Sequence, residues 1–551
     1  MRDVLSRTQE EAQEHRAERI VRNTGIVAGF LLLGRILGLA RELIANRYMG
    51  TRWEADAYRL ANDTMLQDIY AKFEKLLQPV YVPIFVARQR QDGDPEAWRF
   101  TSTVGTVQFL LLVILCVCGV IWAPQLVAGL ATLLGEERMS EHPELYRLTI
   151  SFLRILLPAL VVYSLSNLAE LTIQTYHSFT IPALAEAARR VLIVAGLVAV
   201  IVVFRGGANA VQVTQGLVIG SVVGCAARLL VQLPLLRGRL KLLRPRLELG
   251  NPDVRKAGIL ALPLIVGIVF SYIRNLAETL FAIRVSEGSL AALRAARKLV
   301  DMPWQVLGLG ISYVIYPFIS ELGAKQERGE MADALVSMIR VMAFIFVPMT
   351  IFMFILAEPT IITAFYGLRF DAESVRLTMQ AMPWYVLGML FFGIEDPMLK
   401  WFFALSDTKT PIIMGIVGDL IWFGIAVPGI KFYGAGLMAL ALAMTLSKML
   451  KVLILLAILR PRLGPVPRER VLPFVGKLLV AVAVMTVAIL LASRFLEATI
   501  PFTGWLKGAA EFCGSAAVAV IVYVAASFAL RIEELQLVVD RMKARLRRGS
   551  A

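Results

Sequence analysis

Histidine and cysteine are scarce in this 551-residue chain, which has three histidines and four cysteines. The histidines are far apart in the sequence, and no His or Cys pair at ligand spacing follows Cys116 and Cys118. Metal sites need such residues at defined spacings, and the chain also lacks a nucleophile elbow and a phosphate-cradling Gly-rich loop. The sequence therefore predicts a protein that is not an enzyme and has no cofactor.

Charged residues are few as well, at 18% of the chain against 58% hydrophobic residues. A chain of this composition is too apolar to be a soluble protein. Many apolar segments, such as 109–130, are near or above the roughly 20 residues that a helix needs to cross a bilayer. The sequence thus predicts an all-α polytopic membrane protein with about fourteen transmembrane helices. Their predicted positions are 24–49, 57–88, 100–131, 146–176, 181–204, 210–236, 256–286, 289–323, 332–357, 373–405, 410–429, 433–459, 471–493 and 505–531.

Basic residues are concentrated in the connections after the sixth and twelfth predicted spans, in the N-terminal segment and in the C-terminal tail. The loop after the third span is acidic instead. Because cytoplasmic loops carry an excess of Lys and Arg, we expect both termini to be cytoplasmic. Membrane orientation also accounts for the net charge of +15. Nucleic acid is not expected as a partner, since that would require basic residues gathered on one soluble face.

A weak internal repeat divides the chain. Pro317 follows Pro83 at an offset of 234 (317 − 83) in a similar Val-Tyr-Pro-Phe context, and Pro411 follows Pro182 at an offset of 229 (411 − 182). These matches, together with a third at an offset of 220, predict two six-helix halves of equal orientation, with the substrate site between them near the midplane. The alternative is chance recurrence of Pro and Gly at helix ends. The predicted organisation is an N-terminal cytoplasmic segment (1–23), an N-lobe (24–236), a basic cytoplasmic loop (237–255), a C-lobe (256–459), a final helix pair (471–531) and a basic cytoplasmic tail (532–551).

Ionisable residues inside the spans are concentrated in the first two helices of each half. Each such charge costs at least about 2.5 kcal/mol at the bilayer centre, so it should face a wet cavity or a counter-charge. The basic members are Arg35, Arg41, Lys72, Lys75, Arg274, Arg284, Arg294, Arg297 and Lys298, and the acidic members are Glu42, Asp63, Asp68, Glu74, Glu278 and Asp301. The excess of basic groups favours a cavity for a phosphate or pyrophosphate headgroup, since Arg offers forked donors and Lys a point charge.

Local pairing is the competing interpretation of these charges. Residues at i,i+4 share a helix face, so their opposite charges can neutralise each other. The pairs at this spacing are Asp68/Lys72, Arg274/Glu278 and Arg297/Asp301. Asp419, in the eleventh span, is a weak candidate ligand for a coupling ion, with a helix-end or packing role as its alternative.

A series of short motifs also runs in order along the chain. GRILGLARE at 34–42 is followed by DAY at 56–58 and VYVPIF at 80–85, and later by FTIPA at 179–183 and DTKTP at 407–411. These motifs resemble those of the MurJ/MviN lipid II flippase family of the MOP exporter superfamily, over roughly residues 24 to 530.

The resemblance implies alternating access that moves lipid II, a polyprenyl-pyrophosphate-linked sugar, across the bacterial cytoplasmic membrane for peptidoglycan synthesis. It makes the bilayer and this lipid the partners, with cell-wall synthesis proteins as further candidates. The family's cavity residues correspond to Arg35, Arg41, Asp56, Lys298 and Asp301. Together with the charges of the second, seventh and eighth spans, the predicted substrate-binding set is Arg35, Arg41, Asp56, Lys72, Glu74, Lys75, Arg274, Glu278, Arg297, Lys298 and Asp301.

The chain departs from the family pattern in three helices. Ile69 and Tyr70 stand where the family has two arginines, with Lys72 and Lys75 as candidate replacements, and Glu186 and Arg190 stand where it has Pro and Asn. The charges of the seventh helix are also unexpected. Two alternative functions therefore stay open: export of another polyprenyl-pyrophosphate-linked glycan, and a membrane scaffold for cell-wall enzymes that transports nothing.

Overall fold

A computed structural model describes residues 29–30, 32–134, 143–176, 178–248, 250–405, 407–463, 468–501 and 504–536. The side chains of residues 64–76, 130–134, 263, 306–314, 316, 317, 324 and 468–470 are outside this description. Regular structure in the described residues is helical, apart from one isolated bridge between Gly367 and Phe370. The chain forms two compact units, Met1–Tyr272 and Ile273–Ala551.

The first unit is a bundle of long helices. They are α1 (32–49), α2 (Trp53–Tyr58), a π-helical segment (Arg59–Gln67), α3 (Asp68–Asp92), α4 (Asp94–Ile121), α5 (Ala123–Leu134), α6 (Pro143–Thr175), α7 (Thr180–Val203), α8 (Ala210–Leu236) and α9 (Pro252–Val285), which continues into the second unit. Local sequence explains several of the boundaries. Gly93, at a φ of 85°, allows the tight turn between α3 and α4, and a capping box between Asn209 and Gln212 starts α8.

The core of this unit is tied together by a buried tyrosine. The hydroxyl of Tyr81, on α3, lies 2.7 Å from the hydroxyl of Thr101 on α4 and 2.8 Å from that of Thr172 on α6. Aromatic rings pack around it, including Phe85 and Phe100. Since a buried hydroxyl needs a partner, these bonds fix the relative rotation of three helices.

Glycines allow α7 and α8 to pack in backbone contact. A Cβ at Gly196 would lie 2.6 Å from the Gly216 carbonyl oxygen, and one at Gly220 would lie 3.0 Å from the Cα of Ile193. Small residues four apart are the usual means of close helix packing in membranes, where apolar surface alone gives little drive for association.

We expect Gly196→Ala to destabilise the protein by roughly 1–3 kcal/mol, because the new methyl group forces two backbones apart. Thermal unfolding of the purified protein in detergent measures the effect. The control is Gly258→Ala on α9, where a Cβ meets nothing within 4 Å. Equal midpoints for the two variants would contradict the close contact.

The second unit is also helical. Its elements after α9 are α10 (Ser289–Lys325), α11 (Arg328–Ile355), α12 (Ala357–Phe365), α13 (Ala372–Met379), α14 (Met382–Val386), α15 (Met389–Ala404), α16 (Lys409–Lys431), α17 (Gly436–Leu463), α18 (Arg468–Thr499) and α19 (Trp505–Ala529). The predicted tenth span is broken, with a bend of 42° between Ala372–Met379 and Met382–Ala404. Pro383 near the start of α14 explains the break, because proline removes a helical hydrogen bond.

Each of the fourteen predicted spans overlaps one of these helices or a run of consecutive helices. Within the described ranges, nine helices are long and apolar enough to cross a membrane, and the bent pair makes a tenth if it is one span. The prediction of an all-α polytopic membrane protein is confirmed.

Candidate functional site

A buried polar cluster lies between α1 and the π-helical segment of the first unit. We call it the first cluster; its members are Arg41, Glu42, Asn46, Arg59 and Asp63. The Arg59 guanidinium lies 2.8 Å from Glu42 Oε1 and donates to Asn46 Oδ1 at 2.6 Å and to Asp63 Oδ2 at 3.3 Å. Arg41 lies 3.1 Å from the other oxygen of Glu42. Glu42, Asn46 and Arg59 are all buried, so the charges are held in a medium of low dielectric constant.

Arg59 is the centre of this cluster, although no pattern in the sequence singles it out. It is the first residue of the π-helical segment. A π-helical insertion changes the rotation of the residues around it, so helical periodicity of 3.6 does not give the direction of the Arg59 side chain. The sequence does place Arg59 within the second predicted span, shortly after Asp56, and this position was the indication that it could take part in a site.

The other predicted residues of this unit are distributed unevenly. Asp56 is buried on α2, whereas Arg35 is partly buried on α1, and both have polar interactions within the protein. Lys72, Glu74 and Lys75 lie on α3, and their side chains are outside the described residues. Whether these five bind substrate stays a prediction.

A second buried cluster surrounds Glu278 in the second unit. We call it the second cluster; its members are Arg274, Glu278, Arg294, Arg297, Asp301, Tyr385 and Asp419. The side chain of Glu278 is completely buried and accepts a hydrogen bond from the Tyr385 hydroxyl at 3.1 Å. The guanidinium groups of Arg274, Arg297 and Arg294 lie 3.4, 3.6 and 4.0 Å from the same Glu278 oxygen. One carboxylate thus holds three arginines.

Two pairs predicted from the i,i+4 spacing form within this cluster. They are Arg274/Glu278 and Arg297/Asp301, the latter at 3.5 Å. Lys298, next to Arg297, is partly buried, and none of the described carboxylates lies within ion-pair distance of it.

Asp419 is already paired with a cation of the protein. Its Oδ1 lies 3.0 Å from Nε of Arg274, whose guanidinium also lies over the ring of Trp422. Among the described residues no group of three or more His, Cys, Asp or Glu side chains is placed to hold a metal ion. A role for Asp419 as a coupling-ion ligand stays a prediction, and in this structure its counter-ion is Arg274.

Each unit contains a further, largely buried ionic contact between two of its helices, α6 and α8 in the first unit and α15 and α17 in the second. In the first unit Arg228 on α8 binds Glu170 on α6, and in the second Glu395 on α15 lies 2.5 Å from Lys448 and 2.6 Å from Lys451 on α17. The acids are related by an offset of 225 (395 − 170) and the bases by an offset of 220 (448 − 228). These values are close to the repeat offsets, so an equivalent ionic contact is present in both halves.

The fifth helix adds charge to the pair in the first unit. Glu186 accepts hydrogen bonds from Arg189 and Arg190, and Arg190 also donates to the Gly34 carbonyl oxygen at 2.9 Å. A side chain at Gly34 or Gly38 would meet Arg190, at 3.2 and 2.9 Å. The glycines of the GRILG motif therefore leave room for an arginine against α1.

The DTKTP motif forms a charged turn between α15 and α16. Asp407 accepts hydrogen bonds from the backbone and hydroxyl of Thr410 and from Arg462. Partial burial acts to raise the pKa of Asp407, but the hydrogen bonds from Thr410 and the charge of Arg462 lower this pKa to about 2.

We expect Asp407→Ala to lower the unfolding midpoint at neutral pH. Because the folded-state pKa is below its ordinary value of 3.8, the carboxylate contributes stability above that pH and loses it as the pH falls towards about 2. The difference in midpoint between wild type and variant should therefore shrink over this range. A difference that is constant with pH would show that the charge of Asp407 has no such role.

Both clusters contain arginine forks, whose geometry matches the oxygens of phosphate. Neither cluster contains a thiol or a Ser–His pair that could act as a nucleophile. In this structure the carboxylates hold the guanidinium groups in place.

The sequence matches a protein-family model and several known relatives. The family model described as "Lipid II flippase MurJ" matches residues 45–504. A lipid II flippase of Burkholderia cenocepacia is 27% identical over 397 residues, covering 71% of this chain and 74% of the relative. A probable lipid II flippase of Rhizobium meliloti is 24% identical over 526 residues, covering 94% and 95%.

Solved structures show the same fold. A lipid II flippase in an inward closed conformation aligns with a TM-score of 0.71 at 20% identity, over 92% of this chain and 98% of that structure. An inward-facing multidrug transporter of the MATE family and MOP superfamily aligns with a TM-score of 0.64 at 15% identity, over 80% and 97%. Because the family model spans most of the sequence, this membrane protein belongs to the lipid II flippase MurJ family.

Proposed function

We propose that this protein moves lipid II across the bacterial cytoplasmic membrane by alternating access, for cell-wall biogenesis. The observation that carries the proposal is the pair of buried arginine clusters, one in each unit, on the first two helices of each predicted repeat. These clusters lie in a chain of the flippase family, whose cargo presents a pyrophosphate to be bound.

In this proposal the pyrophosphate competes with the resident carboxylates. In the first unit, Arg41 and Arg59 exchange part of their contact with Glu42 for phosphate oxygens, while Arg35 adds charge and Asp56 orients neighbouring donors. In the second unit, Arg297 makes the same exchange with Glu278, while Lys298 adds charge and Asp301 orients neighbouring donors. The guanidinium groups stay paired during each exchange, and Arg35 and Lys298 offset the negative charge that the bound anion adds, which limits the penalty of moving an anion through a low-dielectric protein.

No covalent step takes place in this mechanism. Cargo should be recovered unchanged after transport. The residues Lys72, Glu74 and Lys75 on α3 would extend the basic surface along the second helix.

We place both termini and the basic connection 237–255 in the cytoplasm, with residues 24–236 and 256–459 as the two lobes and 471–531 as an additional helix pair. The support is the excess of Lys and Arg in those connections. Cell-wall synthesis proteins that consume lipid II on the outer face are the expected protein neighbours.

A different lipid-linked glycan is the second candidate cargo, and one observation favours it. The charged group of Glu186, Arg189, Arg190 and Arg228 is built on the fifth and sixth helices, and its members Glu186 and Arg190 stand where the sequence departs from the family pattern. This group changes the polar surface of the first lobe next to α1.

A flipping assay in proteoliposomes decides between the cargoes. Wild type should move labelled lipid II and leave a polyprenyl-pyrophosphate exopolysaccharide unit in place. The Arg35→Ala/Arg41→Ala double variant should be slower by about tenfold or more, since lost charged hydrogen bonds weaken binding by about 1.5–3 kcal/mol each. Arg52→Ala, which removes an exposed arginine before α2, is the matched control.

Failure to move lipid II, with good expression and transport of the other glycan, would assign the second cargo. If neither lipid moves and the double variant still supports growth of a flippase-depleted bacterium, the protein is a scaffold.

A further inference from the structure

An apolar groove runs along the side of the first unit, between α4, α6 and α8. Its volume is about 490 Å³, and the segment that follows α8 lines part of it. Its walls include Trp98, Gly105, Phe109, Ala169, Leu233 and Leu243. None of the residues in the first cluster lines it, so the groove is separate from the site described above.

One unpaired arginine stands at the rim of this groove. Arg244 lines it, its side chain is exposed, and no carboxylate of the described residues pairs with it. The neighbouring cations differ, since Arg246 and Arg99 both contact Glu248, at 3.4 and 2.9 Å. Arg244 is therefore the cation at the rim that can bind an anion from outside the protein.

The backbone fixes Arg244 in this place. The Arg244 N–H donates to the Ser102 hydroxyl and the Arg246 N–H donates to the Thr106 hydroxyl, each at 3.2 Å. The same segment exposes the side chains of Leu242, Leu243 and Leu247. Exposed leucines beside basic residues are typical of a segment that lies in the membrane interface.

The second unit has a smaller groove at the equivalent position of the repeat, with a volume of about 310 Å³. Wall residues on α4 and α11 correspond at an offset of 234, the offset that separates Pro83 from Pro317. The corresponding pairs are Trp98/Ala332, Thr101/Leu335, Ser102/Val336, Gly105/Ile339, Thr106/Arg340 and Phe109/Ala343. Both walls thus lie at equivalent positions of the predicted repeat.

The second groove has an additional wall, which is formed by residues of α18. Phe474 and Val475 of α18 line it, and Arg340 lies 4.9 Å from the centre of the Phe474 ring. The charge of Arg340 is neutralised by Glu533 at 2.8 Å and Glu534 at 2.7 Å. Apolar residues of α18 therefore border this groove, and the charge of its arginine is balanced by carboxylates of the same unit.

We propose that the first groove binds one anionic phospholipid of the surrounding leaflet, with an acyl chain along α4 and its phosphate at Arg244. In the second unit, Phe474 and the two glutamates provide apolar surface and negative charge. In the first unit, the lipid would provide both. A cation near the membrane surface attracts an anionic lipid by about 1 kcal/mol. This site does not depend on the identity of the cargo.

Photolabelling of the full-length protein in nanodiscs tests the site. The probe is phosphatidylglycerol with a diazirine near the end of one acyl chain, and phosphatidylcholine with the same chains is the comparison. Mass spectrometry then measures labelling of the α4 peptide around Thr101–Phe109, relative to a peptide of lipid-exposed α19. We expect phosphatidylglycerol to label the α4 peptide about fivefold more than phosphatidylcholine.

Three variants separate the headgroup from the chain. Arg244→Ala should reduce labelling by phosphatidylglycerol to the phosphatidylcholine level, whereas Arg237→Ala, on the same connection but outside the groove, should leave it unchanged. Ala169→Phe should reduce labelling by both lipids, because the ring fills the groove.

Equal labelling of wild type by the two lipids would overturn the proposal, and this comparison needs no variant to fold. Full labelling of Arg244→Ala would overturn it as well. Displacement of the probe by unlabelled polyprenyl phosphate, but not by excess phosphatidylglycerol, would assign the groove to the tail of the cargo instead.

Discussion

Replacement of Arg59 by alanine should abolish transport and destabilise the protein by about 3–5 kcal/mol, because breaking a buried ion pair from one side leaves an uncompensated charge. Glu42, buried at 5% exposure, would lose the nearer of its two guanidinium partners, and Asn46 would lose a donor at 2.6 Å. Removing both partners of such a pair costs far less than removing one. Growth of a flippase-depleted bacterium and thermal unfolding in detergent measure the two effects.

Two further variants serve as controls for the Arg59→Ala result. Arg59→Lys keeps the charge but cannot reach Glu42, Asn46 and Asp63 together, so it should recover stability only in part. Arg52→Ala removes an exposed arginine a few residues earlier and should change neither quantity. Normal growth with Arg59→Ala at wild-type protein level would exclude a role for the first cluster in transport.

The second large effect is expected for Glu278→Gln. This change keeps the shape of the side chain but removes the one negative charge that three arginines share. The guanidinium groups would then repel one another in a buried site, where the other carboxylates of the cluster, Asp419 and Asp301, pair with Arg274 and Arg297. We expect a loss of about 3–5 kcal/mol in unfolding free energy and no transport.

Removing one arginine at the same time should restore part of the stability. Arg294→Gln is the suitable partner change, because Arg294 is the arginine farthest from Glu278, at 4.0 Å, and has no closer described carboxylate. A double-mutant cycle of these two changes measures the coupling in unfolding midpoints. The surface control is Glu321→Gln, which removes an exposed pair with Lys325 and should cost less than about 1 kcal/mol. A purely additive cycle would show that charge repulsion is not the cause.

The helices could be predicted from the sequence because the bilayer sets both their length and their composition. Local ion pairs could be predicted too: Arg274/Glu278 follows from a spacing that any straight helix brings to one face. Contacts between distant helices could not. Asp419 is far from Arg274 in the sequence, and their meeting depends on how α9 and α16 are rotated against each other.

Irregular backbone also escaped prediction. The π-helical segment directs Arg59 into the first cluster, and the bend near Pro383 divides a span that was expected to be continuous. Periodicity assumes a uniform helix, so it fails at the places where a helix is interrupted. Such places are frequently functional, and here one of them positions the central arginine of a buried cluster.

The ion pairs that join α6 to α8 and α15 to α17 have a mechanical consequence. Glu170 with Arg228, and Glu395 with Lys448 and Lys451, act as braces, because separating them would expose lone charges to hydrocarbon. Each unit should then move as a stiff body during a transport cycle. In hydrogen exchange, the amides of α6 and α8 should exchange slowly and as one group, and so should those of α15 and α17. Neutralising Glu395 alone should speed exchange in the second unit and leave exchange in the first unit unchanged.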